Sequence, residues 1–132
     1  IKEDIIIFSG HGDEEGFYLS NGECFNGQNL KALPKKNSDK VIIFSSCLIG
    51  KDEGLPQELK SYFSAQVLFS YRHLMYDRFC FLYESILLTT IEHKSKGKQS
   101  ITPSVFSEFQ NKTDFMKNMN GKHVKLHPMV MT

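Results

Sequence analysis

The chain has 132 residues, 40% of them hydrophobic and 23% charged, with 16 Lys+Arg against 15 Asp+Glu. That is one ordinary globular domain over residues 1–132, long enough to bury a core without a metal or disulfide staple. The near-zero net charge argues against a nucleic-acid binder, and no apolar run is long enough to span a membrane.

The chain opens at Ile1 with no Met and enters a strand almost at once, so it reads as a piece of a longer protein. Asp4–Ser9 (DIIIFS) is a short apolar run rich in Ile, the pattern of a buried strand, and it ends in Gly10-His11-Gly12. Phe17, Tyr18 and Leu19 lie between Gly16 and Asn21-Gly22, and Asn-Gly predicts a hairpin with a type I′ turn. Asn26–Leu33 suits one or two helical turns stopped at Pro34, and Lys35–Asp39 a polar loop.

Lys40–Ser45 (KVIIFS) is a second buried strand, running into Ser46-Cys47-Leu48-Ile49-Gly50. Leu55–Ser64 fits a helix with Pro56 in its first turn, and Ala65–Ser70 (AQVLFS) a third apolar strand. Asp77–His93 carries Phe79, Leu82, Tyr83, Ile86, Leu87 and Ile91 at helical spacing, with Asp77 as N-cap or first-turn acid. Lys94–Thr102 reads as a solvated loop. Thr113 is placed to cap a short helix through Asn120, closed by Gly121. His123–Thr132 suits a last edge strand, because Pro128 is tolerated only at an edge or strand end.

Three apolar strands joined by helical crossovers predict an α/β fold, a mostly parallel sheet flanked by helices. Ligands of such sheets sit at the carboxyl ends of the strands. Two polar clusters lie there, Ser9-Gly10-His11-Gly12 and Ser45-Ser46-Cys47. His11 and Cys47 each follow a strand by two residues, so neighbouring strands, about 5 Å apart, would bring a thiol and an imidazole together. The amides of Gly12 and Cys47 would then face the oxyanion of an acyl-transfer reaction. The plain alternatives are a cysteine that packs as a small hydrophobe and a His-Gly turn.

The pattern strand–Ser9-Gly10-His11-Gly12, then strand–Ser45-Ser46-Cys47 with Gly50 three residues on, resembles the caspase-like (clan CD) cysteine peptidases over residues 4 to 93. Cys-x-x-Gly, the aspartate Asp77 after the third strand and the aromatic helix bearing Phe81-Leu82-Tyr83 are similar to the CHAT-domain and separase-like members. His11-Gly12-Asp13-Glu14-Glu15-Gly16 and the hairpin after it are similar to caspases proper, and His127-Pro128 to the closing strand of the CHAT sheet.

The resemblance implies a caspase-like sheet whose first strands are absent from this chain. It implies a cysteine endopeptidase acting through a thioester, with Cys47 as nucleophile, His11 as general acid/base and Gly12 and Cys47 as oxyanion donors. Ser45, Ser70, Tyr71 and Arg72 would lie along the substrate. Ser45 stands where caspases carry a glutamine, so aspartate specificity is not implied. No cofactor or metal is expected. The expected partners are a protein substrate and a regulatory domain or activating partner outside this chain, with neither nucleic acid nor membrane. Asp13, Glu14, Glu15, Asp52 and Glu53 read as solvated acids before a subsite for a basic residue. His73 is near the site by position, whereas His93, His123 and His127 read as surface or packing residues, and Cys24 and Cys80 as structural. Three widely spaced cysteines without a CxxC pair suit a reducing, cytoplasmic setting.

Two rival readings remain. One is a pseudoprotease that keeps the fold as a regulatory or interaction module. The other is a doubly wound domain holding a small ligand at the same strand ends; it lacks both GxGxxG and GxxxxGK[ST].

Overall fold

The computed structural model describes residues 5–26, 40–96, 103–116 and 129–131. The turns expected after Asn26, the loop over 35–39, residues 97–102 of the loop expected over 94–102, the Gly121 cap, and residues 123–128 and 132 of the closing strand lie outside them, whereas residues 94–96 of that loop continue the long helix. The chain groups into two compact units, one of residues 1–74 with 127–132 and one of residues 75–126.

The first unit holds β1 (Ile5–Ser9), β2 (Gly12–Asp13), β3 (Gly16–Tyr18), β4 (Cys24–Phe25), β5 (Val41–Ser45), α1 (Gly54–Phe63), β6 (Val67–Ser70) and β7 (Met129–Met131). Its main sheet has the order β1-β5-β6-β7. The first three strands are parallel, and β7 closes the sheet antiparallel to β6. The α/β reading of the apolar runs is therefore correct. Val41, Ile42, Ile43 and Phe44 of β5, and Val67, Leu68 and Phe69 of β6, are all 0–2% exposed. Burial on both faces is why these strands read as continuous apolar runs rather than alternating ones.

Helix α1 starts with Pro56 in its first turn and ends where Ser64 turns left-handed (φ 51°), its amide donating to the carbonyls of Lys60 and Ser61. Leu59 and Phe63, four residues apart, lie on one helix face and pack with Ile42, Phe44 and Leu68. Phe8 adds an aromatic cluster to this core: its ring stacks on Phe44 at 5.0 Å and meets Phe63 at 5.5 Å and Phe17 at 5.9 Å.

The small sheet β2-β3-β4 is antiparallel. Strand β2 is not visible in the sequence pattern, because two residues are too few for an alternation. The second hairpin turn is not type I′. The Gly22 amide donates to the Leu19 carbonyl (2.9 Å), Gly22 alone is left-handed (φ 87°), and Leu19 pairs back to Glu23. This is a type I turn followed by a left-handed glycine, a common longer hairpin loop.

The second unit holds α2 (Asp77–Lys96), α3 (Pro103–Lys112) and a 3-10 turn over Asp114–Met116. Phe79, Tyr83, Leu87 and Ile91 form the buried stripe of α2, and Asp77 is its first-turn acid. Leu82, expected on that stripe, is 45% exposed, because it falls about 100° around the helix from Tyr83. Helix α3 packs on α2 through Val105, Phe106 and Phe109; Phe109 meets the Tyr83 ring edge-on at 5.0 Å. Thr113 stands at the start of a short helical turn as expected, its carbonyl accepting the Met116 amide (2.9 Å), but its side chain does not cap that turn; residues 117–120 lie outside the described residues. Thr113 follows α3, donates its hydroxyl to the Phe109 carbonyl (2.7 Å) and bonds the Tyr83 hydroxyl (3.2 Å).

Phe44 is fully buried at the centre of the aromatic cluster, so Phe44→Ala should lower the unfolding free energy by about 3–5 kcal/mol. Ile7→Ala, at a side chain 38% exposed on β1, should cost much less. Urea unfolding of the two variants measures the difference.

Candidate functional site

Strands β1 and β5 are direct neighbours, with Ser9 opposite Ser45 in register. One further bond, from the Gly10 amide to the Ser45 carbonyl (3.2 Å), carries the ladder past the strand ends. His11 and Cys47 thus leave adjacent parallel strands at the same offset. The contacts of Gly12 show independently that the two loops touch. A Cβ on Gly12 would lie 2.9 Å from Ser46 Oγ and 3.0 Å from Ile49 Cδ1. Only glycine lets the two chains approach this closely.

His11 is exposed, and Cys47 is half-buried and in no disulfide. After Cys47 the chain makes a tight turn. Leu48 is left-handed (φ 62°), an uncommon conformation for a residue with a branched side chain. The Lys51 amide returns to the Leu48 carbonyl (3.1 Å). Two backbone bonds stitch this turn to the segment after β6: Leu48 N–H to the His73 carbonyl (3.2 Å) and Gly50 N–H to the Tyr71 carbonyl (2.8 Å). The loops after β1, β5 and β6 are therefore joined at one end of the sheet.

The hairpin pattern fixes the direction of the Gly12 amide. Tyr18 N–H donates to the His11 carbonyl (2.9 Å), which makes residues 11 and 18 a hydrogen-bonded pair. Hydrogen-bonded and non-bonded pairs alternate along an antiparallel ladder, so Gly12 and Phe17 are a non-bonded pair. The Gly12 N–H points away from β3 and is not consumed by the hairpin.

The other residues singled out from the sequence divide clearly. Ser45 and Arg72 are half-buried near the strand ends. Ser70 and Tyr71, expected along the substrate, are fully buried; Ser70 pairs with Met129 of β7, and the Tyr71 carbonyl accepts the Gly50 amide, so neither side chain is open to a substrate. His73 contributes its carbonyl to the Cys47 turn. Cys24 is exposed on β4 and Cys80 half-buried on α2; His93 is exposed, and His123 and His127 lie outside the described residues.

Among the acids, Asp13 shapes its own loop: Oδ1 accepts the amides of Glu15 (2.8 Å) and Gly16 (3.3 Å), and Oδ2 accepts the Tyr18 hydroxyl (2.8 Å). Glu14 forms an exposed ion pair with Lys51 at 3.7 Å, worth little in water. Asp52 and Glu53 are exposed.

Partial burial pushes the Asp13 carboxyl up, and the three hydrogen bonds outweigh it, so its pKa falls below the ordinary value. The same bond pushes the Tyr18 phenol well up. Burial raises the Cys24 thiol, and Tyr18 partly offsets this.

Sequence reasoning did not single out Ser46 or Tyr18. Ser46 is 4% exposed, and among the described residues its hydroxyl has no hydrogen-bond partner; the same holds for Ser70. A buried hydroxyl left in this way costs about 1–3 kcal/mol. Asp13 followed at three residues by Gly16 is a readable turn signal, but its pairing with Tyr18 appears only once the hairpin register is known. Among the described residues no group of His, Cys, Asp or Glu is arranged to hold a metal ion, and no helix is long and apolar enough to cross a membrane. No protein-family model, curated protein or solved structure matches this chain.

Gly12→Ala should destabilise the protein by about 1–3 kcal/mol, because the new methyl overlaps Ser46 and Ile49. Adding Ser46→Gly should recover part of that loss in thermal or urea unfolding, since it empties half of the overlapped space.

Asp13 has a lower pKa folded than unfolded, so its contribution is present above about pH 4 and is lost as pH falls through the depressed folded value. Acid should therefore lower the protection factors of the Glu15 and Gly16 amides, taken relative to the intrinsic exchange rate at each pH. Asp13→Asn should flatten that pH dependence, measured by NMR.

Proposed function

We propose that this chain is the catalytic part of a cysteine endopeptidase of caspase-like type, acting on protein substrates within a larger, regulated polypeptide. One observation carries the reading: Ser9 opposite Ser45 sets His11 and Cys47 at matching positions on neighbouring parallel strands. The Gly12–Ser46 approach and the outward Gly12 amide support it.

The chemistry follows from those groups. His11 takes the thiol proton of Cys47, and the sulfur attacks the scissile carbonyl. Negative charge develops on the carbonyl oxygen, toward which the amides of Gly12 and Cys47 donate. His11 returns the proton to the leaving amine, leaving a thioester on Cys47. Water activated by His11 then hydrolyses it and restores the thiol. The segment that leaves β6 at Arg72, joined to the Cys47 turn through the Tyr71 and His73 carbonyls, is where an extended substrate would pass beside the thiol. Ser45 and Arg72 are the partly accessible side chains there.

The test is a comparison of new protein termini in a cell lysate treated with the wild-type chain, Cys47→Ala or His11→Ala under reducing conditions. Termini that appear with wild type and vanish with either variant, both remaining folded by circular dichroism, support the peptidase. Termini that persist in Cys47→Ala would remove the site assignment. A wild type that yields none would favour the pseudoprotease.

A further inference from the structure

His11 is exposed, and among the described residues no side chain bonds its imidazole. Asp13, the nearest carboxylate in the chain, cannot orient the ring in the manner of a third triad member without giving up bonds. Both of its oxygens are engaged within the hairpin, one by the amides of Glu15 and Gly16 and the other by the Tyr18 hydroxyl. The orientation of His11 therefore depends on how firmly its backbone is held.

That grip converges on one residue. Tyr18 uses its amide to hold the His11 carbonyl at 2.9 Å and its phenol to hold Asp13 at 2.8 Å, so it spans both ends of the β2 segment. Its neighbour Phe17 is 6% exposed and packs edge-on against Phe8 (5.9 Å) and Phe44 (5.8 Å). The hairpin is thus rooted in the core on one side and bonded to the His11 turn on the other.

Resting on the peptidase reading above, we propose that Tyr18 is a positioning residue for His11, its hydroxyl clamping Asp13 so that the 11–13 segment presents the imidazole to Cys47. The hydroxyl lies on the partly solvated side of the hairpin, and removing it leaves the Phe17 anchor intact. Loss of the clamp should loosen the catalytic turn without unfolding the sheet.

The test uses the full chain and the variants Tyr18→Phe, Asp13→Ala and Asp13→Asn. Hydrogen exchange at the position-18 amide reports the bond to His11 directly, and exchange at Ile43 reports the sheet. In Tyr18→Phe the first should quicken about tenfold while the second stays unchanged. Cleavage of fluorescein-labelled casein should lose about tenfold in kcat with KM unchanged, since misplacing the base affects the chemical step. Asp13→Ala should behave alike. Asp13→Asn keeps an acceptor for the Glu15 and Gly16 amides and a donor toward the phenol oxygen, so it should retain most of the rate.

Unchanged exchange at position 18, or faster exchange with unchanged kcat, would overturn the inference. Should wild type show no Cys47-dependent cleavage, the peptidase reading and the catalytic purpose of the clamp fall together. The exchange measurement would still show whether Tyr18 holds His11.

Discussion

Parallel pairing of β1 with β5 is the constraint on which the rest of the site depends, because a ladder with Ser9 opposite Ser45 leaves the next residues of both strands no choice of neighbour. Each strand delivers one polar loop, and the spacing of adjacent strands, about 4.8 Å, sets how far apart they emerge. A slip of one residue would turn Phe8 and Phe44 to opposite faces and break their stacked contact. The aromatic core thus fixes the register, and the register fixes which loop residues meet. Gly12 is the visible consequence. Its missing side chain is the space that Ser46 and Ile49 occupy.

The small antiparallel sheet serves a different purpose from the large one. Strands β2 to β4 are too short to be stable by themselves. Their anchor is Phe17, inserted among Phe8 and Phe44, together with Phe25, which packs against Phe63 at 5.9 Å. Gly16 permits the tight return, since a Cβ there would meet the Phe25 carbonyl at 2.6 Å. The hairpin therefore transmits the rigidity of the core to the segment that carries His11, through backbone bonds rather than through contacts to the imidazole.

What the sequence revealed and what it hid follow from the range of the interactions. Strands β1, β5 and β6 announce themselves as apolar runs, and α1 and α2 by the spacing of Leu59 with Phe63 and of Phe79, Tyr83, Leu87 and Ile91. His11 and Cys47 stood out because each follows such a run by two residues. Helix α3 was hidden. Its apolar residues Val105, Phe106 and Phe109 cover less than a full heptad, and Thr113 signals only the 3-10 turn that follows it while its hydroxyl turns back to the Phe109 carbonyl. The turn at Asn21-Gly22 was misread because Asn-Gly also suits a type I turn with a left-handed glycine, and the strand pairing decides between the two. Nothing local marks Ser46 as the partner of Gly12. That contact exists only after two strands distant in the chain have paired.

The residues around Cys47 also depart from what stability alone would select. Leu48 adopts a left-handed backbone, and the hydroxyl of Ser46 is buried without a hydrogen-bond partner among the described residues. Each is a modest cost, and the two flank the same thiol. They persist because the turn is over-determined: Leu48 and Gly50 are tied to His73 and Tyr71, Ile49 is 1% exposed in the core, and Gly12 closes over Ser46. Relaxing Leu48 to an ordinary conformation would swing either its amide or that of Lys51 out of its bond. Turning Ser46 toward water would open the contact with Gly12. The unfavourable geometry is therefore locked in by the junction of three strand ends.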